Sequence, residues 1–210
     1  MHLSKILFFA LLNASLGSAE QFLTCNSGIK VTHKSTGFHL TSSEINWGSG
    51  SGQQSVTATS QNGDSTSMWM VVENNDAAES CAPGTVMSCD SVVRFTHLVT
   101  GKNLHSHNFR SPLTQEQEVS AFGEDGKGDG GDDWKVVCTK GSNWSTDTPF
   151  YLQHVATGKW LSSSNQARFN QQNCPNCPIV GQLEVVGIRQ KSDASIWVVQ
   201  RGAFLLDKDA

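Results

Sequence analysis

The feature that most constrains this chain is a short sequence pattern that occurs three times. Each copy has a histidine, a Thr-Gly pair three and four residues later, and a leucine seven residues later. The histidines stand 64 and then 57 residues apart. The pattern comprises His33, Gly37 and Leu40 in copy one, His97, Gly101 and Leu104 in copy two, and His154, Gly158 and Leu161 in copy three. Such a period identifies a repeat protein, and every other feature is interpreted within it.

Two further landmarks follow each histidine pattern in the same order. The first is a segment that ends in valine, and the second is a strand that contains tryptophan. The valines are Val56, Val119 and Val185, and the tryptophans are Trp69, Trp134 and Trp197. Each copy therefore predicts four short strands, and the whole chain predicts twelve. One copy of about 60 residues cannot bury its apolar face alone, whereas three copies can share a core.

Twelve short antiparallel strands in three copies predict an all-β fold, a β-trefoil with pseudo-threefold symmetry. In it the first and fourth strands form a small barrel, and hairpins of the second and third strands cap one end. Barrel closure removes exposed strand edges. A three-bladed propeller is the alternative, but propellers typically have at least four blades. We predict one domain over residues 20–210, with repeats at approximately 22–76, 84–139 and 142–202.

The repeated histidines are in phase with apolar neighbours in alternating segments such as 29–33, which predicts half-buried strands. We therefore expect His33, His97 and His154 to point inward. A metal site on the symmetry axis is the alternative, but core histidines bonded to backbone groups are the interpretation that we favour. The glycines of the Thr-Gly pairs are predicted to turn the chain with positive φ.

The first 19 residues have the organisation of a secretory signal peptide. Lys5 precedes an apolar run over residues 6–12, and small residues at 17–19 allow cleavage before Glu20. The run is too short to cross a bilayer, and no other long apolar run follows, so we expect no membrane span. The formal net charge of −4 and the 16% content of charged residues argue against a nucleic-acid partner.

Six cysteines in a secreted chain favour disulfides, although six cysteines allow fifteen pairings. In a trefoil the outer ends of the first and fourth strands of one copy are neighbours, which predicts Cys25–Cys81 and Cys89–Cys138. The C-x-x-C spacing of Cys174 and Cys177 also occurs in redox and zinc sites. No helical pattern and no further ligands accompany it, so we predict a disulfide, Cys174–Cys177, that locks a loop.

Copy two contains most of the residues with candidate chemistry. His105 and His107 alternate as in a strand, so both rings share one face, either as a metal-ligand pair or, as we favour, as a polar strand edge used for binding. The run 124–133 gathers five carboxylates, matches a calcium loop only loosely and predicts a solvated acidic loop. The sequon at Asn143 predicts glycosylation in an exposed turn.

No serine–histidine–aspartate, cysteine–histidine or phosphate-loop arrangement is recognisable in the sequence. The glycine-rich run 48–52 lacks the Gly-Lys-Ser/Thr ending of a P-loop. We therefore predict a protein that is not an enzyme and that has no cofactor and no metal. We place binding on surface loops of copy two, at His105, His107, Phe109, Arg110, Gln117 and Glu118.

Several segments of the mature chain also match a known family. They include Gly-Ser-Gly-Ser-Gly-Gln-Gln-Ser-Val-Thr at 48–57, Thr-Gly-Lys-Asn-Leu-His-Ser-His at 100–107 and Gln-Glu-Val-Ser-Ala-Phe-Gly-Glu at 117–124. The copies resemble MIR motifs, which occur in protein O-mannosyltransferases and in inositol-trisphosphate and ryanodine receptors. The chain is more similar still to the stand-alone stromal cell-derived factor 2 family. Copy one departs from the family pattern Leu-His-Ser-His, because it has Leu-Thr-Ser-Ser at 40–43.

The resemblance implies a co-chaperone in the lumen of the endoplasmic reticulum. It implies a J-domain co-chaperone as partner and, through it, the ATP-driven chaperone of the lumen, with unfolded or O-mannosylated proteins as clients. Members of the family usually end in a KDEL-like retention signal, whereas this sequence ends Leu-Leu-Asp-Lys-Asp-Ala at 205–210. Retention by a partner, secretion and an incomplete C-terminus therefore all stay open.

Two other functions compete with the adaptor. One is a secreted carbohydrate-binding trefoil of the lectin type, possessing polar loops and aromatic residues that suit sugars. One feature argues against the lectin. Ricin-type trefoil lectins have Gln-x-Trp in the last strand of each repeat, whereas the residues two positions before the tryptophans here are Ser67, Asp132 and Ser195. The other is a secreted structural or signalling protein.

Overall fold

The computed structural model describes residues 21–61 and 65–203, and this part of the chain is all-β. The predicted signal peptide and the C-terminal hexapeptide lie outside the described residues. Four strands form in each copy. In copy one they are β1 Gly28–His33, β2 His39–Asn46, β3 Gln54–Thr59 and β4 Met68–Glu73. In copy two they are β5 Val92–His97, β6 Asn103–Arg110, β7 Gln117–Phe122 and β8 Trp134–Cys138. In copy three they are β9 Phe150–His154, β10 Trp160–Arg168, β11 Leu183–Ile188 and β12 Trp197–Ala203.

The first and fourth strands of the three copies close into a six-stranded barrel. Strand β1 pairs with β4 and β12, β5 pairs with β4 and β8, and β9 pairs with β8 and β12. All of these pairings are antiparallel. The strongest ladders join neighbouring copies, so each copy completes the barrel only with the strands of the other two.

The second and third strands form three hairpins, β2–β3, β6–β7 and β10–β11. Strands β3, β7 and β11 also pair with one another in a triangle around the pseudo-threefold axis. These pairings confirm the predicted β-trefoil with twelve strands in three repeats. A short 3-10 turn precedes the fourth strand of each copy, at Ser65–Ser67, Gly130–Asp132 and Asp193–Ser195.

The core of the barrel is organised around the three repeat tryptophans. Trp69, Trp134 and Trp197 are fully buried, together with the three repeat leucines. Each indole N–H donates to the carbonyl of the leucine in its own copy, Leu40, Leu104 or Leu161, at 3.0, 2.9 and 2.9 Å. These hydrogen bonds satisfy the polar atom of each buried ring, which would otherwise weaken the core.

Each tryptophan also packs against the histidine of the next copy. The ring centroids are 4.8 Å apart for Trp69 and His97, 4.9 Å for Trp134 and His154, and 4.9 Å for Trp197 and His33. The contacts therefore pass from copy one to two, from two to three, and from three back to one. This cyclic arrangement gives the three histidines equivalent environments.

Both ring nitrogens of each repeat histidine are bonded to neighbouring groups. One nitrogen pairs with the threonine hydroxyl three residues later, at 2.9 Å for His33, 2.9 Å for His97 and 2.8 Å for His154. The other nitrogen is hydrogen-bonded to a backbone carbonyl. The distance is 2.9 Å from His33 to Ala194, 2.8 Å from His97 to Thr66 and 3.0 Å from His154 to Gly131. Burial lowers the pKa of His33 and His154, and the bonded carbonyls oppose part of that shift.

The turn after each histidine requires glycine. Gly37, Gly101 and Gly158 have φ of 72°, 66° and 70°, a region that side chains disfavour. Each glycine N–H donates to the carbonyl of the preceding histidine, at 2.9, 2.9 and 2.8 Å. The Thr-Gly pair of the sequence repeat is therefore explained by one threonine hydroxyl and one left-handed backbone position.

Three disulfides connect the six cysteines, as predicted. They are Cys25–Cys81, Cys89–Cys138 and Cys174–Cys177, with Cα–Cα distances of 6.2, 5.6 and 5.5 Å. The first two join the outer ends of the first and fourth strands in copies one and two, at the barrel end opposite the hairpin cap. Among the residues described, no helix is long and apolar enough to cross a membrane.

Candidate binding site on the second copy

The predicted binding residues lie on the β6–β7 hairpin, and strand geometry determines which of them share a face. His105, His107 and Phe109 occupy alternate positions of β6, whose pairing with β7 is irregular between Ser106 and Arg110. Contacts between successive rings show that the three side chains lie together. The rings form a contiguous series, with centroids 5.1 Å apart for the two histidines and 4.8 Å apart for His107 and Phe109. Exposure rises along the series from the buried His105 to Phe109, which is 51% exposed.

His105 is held by a buried carboxylate. Its Nδ1 lies 2.9 Å from Oδ1 of Asp132, whose other oxygen accepts from the side-chain amide of Asn103 and from the backbone N–H of Asp129, both at 3.0 Å. Asp129 in turn accepts from the N–H of Gly131 at 2.8 Å and caps the 3-10 turn. The carboxylate of Asp132 therefore orients the imidazole from a fixed position.

His107 is held in the same way by Glu118 of β7. Its Nε2 lies 3.0 Å from Oε1 of Glu118, whose side chain is fully buried. Glu118 also accepts from the backbone N–H and the hydroxyl of Ser51, in the glycine-rich loop of copy one. One carboxylate thus joins the histidine of copy two to a loop of copy one.

A carboxylate of copy three makes the same kind of contact with a loop of copy two. Glu184 of β11 accepts from the N–H groups of Leu113 and Thr114, at 2.7 and 3.0 Å, and from the Thr114 hydroxyl at 2.7 Å. The equivalent position in copy one is Ser55, which cannot supply a carboxylate to the loop of copy three. That loop is instead closed by Cys174–Cys177.

The prediction that all six residues lie on surface loops is wrong, because all six belong to strands β6 and β7 and three of them are buried. His105, Gln117 and Glu118 are buried and belong to strands, at 4%, 2% and 0% exposure. The amide of Gln117 donates to Ser106 and Thr157, just as Gln54 of copy one donates to Ser42 and Thr100. Strand alternation at a sheet that is buried on both faces, which the sequence pattern does not reveal, turned these polar residues inward.

The prediction of a solvated acidic loop also needs correction. Glu124, Asp125 and Asp129 are exposed, but Asp132 and Asp133 are buried. Burial raises the pKa of Asp133, and the N–H of Asn75, which donates to it at 2.8 Å, opposes part of the shift. Asp132 and Asp133 therefore have structural contacts: Asp132 bonds His105 and Asn103 of β6, and Asp133 accepts from Asn75 of copy one.

Two polar depressions flank β6. One, of about 400 Å³, is lined by both histidines of β6 and by Gln53, Asp129 and Thr157 among others. The other, of about 230 Å³, is lined by Phe109, Arg110, Gln117 and Lys159 among others. The structure thus brings five of the six predicted residues to adjacent recesses, where residues of all three copies contribute.

A third recess was not predicted. It is an apolar cavity of about 440 Å³ lined by Trp47, Leu113, Phe169 and Ile179, with the Cys174–Cys177 loop as one wall. Trp47 donates to the carbonyl of Val119 at 3.0 Å, and with Phe169 and Ile179 it forms a second small core. A tryptophan directly before the glycine-rich loop was the signal available in the sequence.

One group of ligating side chains could hold a metal ion. Side-chain atoms of His105, Asp129 and Asp132 all lie within 4.8 Å of one another. The second such group, Cys25, Glu73 and Cys81, has its two sulfurs in a disulfide and cannot ligate through thiolates.

Comparison with known proteins places this fold and hairpin in a defined class. The MIR domain family matches residues 55–197, so the molecule is a β-trefoil of the MIR type. Stromal cell-derived factor 2 of Mus musculus is 39% identical over 203 residues, which cover 97% of this chain and 92% of that protein. The chain belongs to the stromal cell-derived factor 2 family.

Solved structures agree with this assignment. The crystal structure of the SDF2-like protein from Arabidopsis thaliana has a TM-score of 0.81 and 37% identity, over 89% of this chain and 99% of that one. The protein O-mannosyltransferase Pmt1–Pmt2 complex of S. cerevisiae, bound to its sugar donor, has a TM-score of 0.74 and 27% identity, over 95% of this chain and 28% of that one. This membership fits a lumenal protein of the secretory pathway with a role in protein handling.

Proposed function

We propose that the chain is a non-enzymatic adaptor co-chaperone of the endoplasmic-reticulum lumen. It docks on a J-domain co-chaperone, through which it serves the ATP-driven chaperone of the lumen, and it contacts unfolded or O-mannosylated client proteins. Membership of the stromal cell-derived factor 2 family supports this proposal. The buried repeat histidines support the non-enzymatic part, because both nitrogens of each ring are bonded to structural partners.

The observation on which the docking proposal rests is the exposed end of β6. Phe109 is 51% exposed and continues directly from the ordered rings of His105 and His107. The neighbouring Arg110 is also exposed. Phenylalanine and arginine are both enriched in protein–protein interfaces. Because β6 pairs with β7, this surface needs little ordering on binding.

The test uses the mature chain immobilised in the presence of lumenal extract. We expect recovery of a J-domain protein, and direct binding when the recovered protein is purified and mixed with the chain. Phe109→Gln, which introduces the residue found at the equivalent position of copy three, is expected to weaken binding at least about tenfold. Val155→Lys is the matched control, since it replaces another half-exposed apolar residue by its copy-one counterpart.

If no J-domain protein is recovered, with or without crosslinker, the adaptor function fails. Equal binding by the Phe109→Gln variant and the unaltered chain would instead move the docking surface away from β6. Localisation of the untagged protein by immunofluorescence decides between retention in the lumen, which we propose, and secretion.

A specific observation supports carbohydrate binding as a second candidate. Tyr151 and Trp160 are half-buried, and their rings meet edge to face with centroids 6.0 Å apart. The ammonium group of Lys191 lies 4.6 and 5.3 Å from the two ring centroids. Such a corner offers a stacking surface for a sugar ring. A glycan array checks it: binding should be lost in Trp160→Asn, and no signal above background removes this candidate.

A further inference from the structure

Comparison of the three copies isolates two histidines that the fold does not require. The position of His105 is occupied by Thr41 in copy one and by Ser162 in copy three. There a hydroxyl donates to the carbonyl of the 3-10 turn, at 2.9 Å to Thr66 and 2.6 Å to Ala194. A small hydroxyl therefore satisfies the trefoil at this position, whereas copy two places a buried imidazole there.

His107 is likewise replaced by a residue with a small hydroxyl side chain in the other two copies. Its equivalents are Ser43 and Ser164, and neither copy has an imidazole at this position. Glu118 and Glu184 both bond the loop of the preceding copy, and Glu184 does so without any histidine. The histidine pair is thus confined to copy two, where each imidazole is bonded to a buried carboxylate.

The two imidazoles share one electrostatic arrangement. Each donates from one nitrogen to a fully buried carboxylate, His105 to Asp132 at 2.9 Å and His107 to Glu118 at 3.0 Å. This leaves Nε2 of His105 and Nδ1 of His107 with their lone pairs, and within the described part of the chain no hydrogen bond is made to either atom. Histidines that ligate metals almost always donate their other N–H to a carboxylate or carbonyl in this way.

The separation of the rings is compatible with one shared ion. Two imidazoles bound to a tetrahedral metal at about 2.0–2.1 Å have centroids about 5 Å apart, and the observed centroid distance is 5.1 Å. The depression beside the rings, of about 400 Å³, leaves room for water ligands. Asp129, whose side chain is 60% exposed at its rim, adds a negative charge that favours a cation.

We propose that His105 and His107 bind one divalent transition-metal ion of the zinc and copper class, with Asp132 and Glu118 orienting the two ligands. Imidazole ligands favour these ions over magnesium and calcium, which prefer oxygen. The carboxylate side of His105 is not the site, because Asp132 already accepts three hydrogen bonds. This proposal departs from the sequence-based expectation of no metal.

The test is titration of the metal-free mature chain, with its disulfides intact, with zinc chloride alone by calorimetry. We expect one Zn²⁺ per chain and no binding of Mg²⁺ under the same conditions. Loss of an outer carboxylate already costs metal sites about 10–100-fold in affinity, so loss of a ligand should weaken binding at least about tenfold. The variants are His107→Ser and His105→Thr, which introduce the residues of copy one.

His39→Asn is the matched control, since it removes a histidine and introduces the residue that copy two has at that position. There Asn103 accepts from Thr96 at 2.8 Å, as His39 pairs with Thr32 at 2.8 Å. Zinc binding should be unchanged in this variant. In nuclear magnetic resonance, only the imidazole signals of His105 and His107 should shift with zinc.

Three results would overturn the proposal: no zinc binding, equal affinity in His107→Ser, or equal binding of Mg²⁺. Because the side chain of His107 is 19% exposed and its equivalents are serines, His107→Ser is expected to retain the fold, which circular dichroism checks. It therefore provides a valid test even where His105→Thr fails to fold.

Discussion

At the residue scale, comparison of equivalent positions separates side chains that build the trefoil in several copies from side chains that occur in one copy alone. Gln54 and Gln117 make the same two hydrogen bonds in copies one and two, and so they build the fold. His105 and His107 have no imidazole counterparts in the other copies. A residue that departs from its equivalents without being required by packing is the best candidate for function.

Glu184 provides a stability prediction. Replacing it by alanine leaves the N–H groups of Leu113 and Thr114 without their acceptor. A hydrogen bond to a charged group contributes about 1.5–3 kcal/mol. We therefore expect the free energy of unfolding to fall by about 2–3 kcal/mol. Urea denaturation measures it. Glu116→Ala, at an exposed position in the β6–β7 loop that Glu184 anchors, should change stability little, and equal effects of the two would contradict the anchoring role.

The lowered pKa values of His33 and His154 predict a dependence of stability on pH. The unfolded chain, with ordinary histidine pKa values near 6.5, takes up protons before the folded chain does. The stabilisation is therefore complete above about pH 6.5 and decreases as the pH falls through and below that value. Urea denaturation at pH 7.5 and 5.5 should show lower stability at pH 5.5.

His33→Gln identifies the origin of that effect. A glutamine does not titrate, so the decrease in stability between the two pH values should be smaller in this variant than in the unaltered chain. A constant or rising stability on acidification of the unaltered chain would show that these histidines are not neutral in the fold.

At the element scale, the three hairpins differ mainly in what holds their tips. A carboxylate from the next copy anchors the loops of copies one and two, whereas the loop of copy three is closed by Cys174–Cys177 and covers Trp47. The copy-one position equivalent to Glu118 and Glu184 is Ser55, and the loop that faces it, between β10 and β11, is the longest of the three hairpin loops. Ser55 lines the apolar cavity together with the Cys174–Cys177 loop.

Removing the loop disulfide should therefore affect one element. For the Cys174→Ser, Cys177→Ser double variant the chain-entropy model gives a loss of only about 2 kcal/mol, because the two cysteines are 3 residues apart. For Cys89→Ser, Cys138→Ser, separated by 49 residues, it gives about 4 kcal/mol. Denaturation compares them. Tryptophan emission should shift to the red in the first variant through Trp47, and an unchanged spectrum would contradict the role of the loop.

The sequon is a further prediction at this scale. Asn143 is half-buried and bridges to Ser88, while Ser145 is fully buried with its hydroxyl 2.9 Å from Thr148. The expectation of an exposed turn is therefore wrong. We predict that a glycan is added at Asn143 only before the barrel closes. Oligosaccharyltransferase should modify the reduced, unfolded chain and leave the folded chain unmodified, and modification of both would contradict this.

At the scale of the whole molecule, the copies are interlocked. Trp134 of copy two packs on His154 of copy three, and Trp69 of copy one packs on His97 of copy two. The barrel ladders likewise join different copies. No copy contains its own complete core, and so the trefoil should fold as one cooperative unit.

A fragment of residues 84–139 tests this statement. The fragment lacks the partners of both Trp134 and His97, and we expect it to stay unfolded by circular dichroism and nuclear magnetic resonance. The full mature chain, which should unfold in a single transition with coincident probes, is the control. A folded fragment would show that one copy is self-sufficient.

The sequence alone determined the architecture, because the repeat is written in local signals. A histidine in phase with a strand, a Thr-Gly turn and a tryptophan strand each specify a local conformation, and three copies leave few ways to share a core. Two of the disulfides followed from that architecture. These features depend on neighbours in sequence and on a symmetry that the sequence itself displays.

Only the tertiary structure decided which polar residues face solvent and which copies touch at each site. Gln117, Glu118 and Asp132 appear exposed in sequence, yet all three are buried. Gln117 and Glu118 lie on β7, which pairs with strands of both neighbouring copies, and Asp132 lies in a 3-10 turn bonded to His105 and Asn103. The pairing of His105 with Asp132 joins residues 27 positions apart, and that of Glu118 with Ser51 joins residues 67 apart. The second contact depends on the register between copies one and two, and the first on how the 3-10 turn of copy two packs against its own hairpin. No local sequence pattern encodes either.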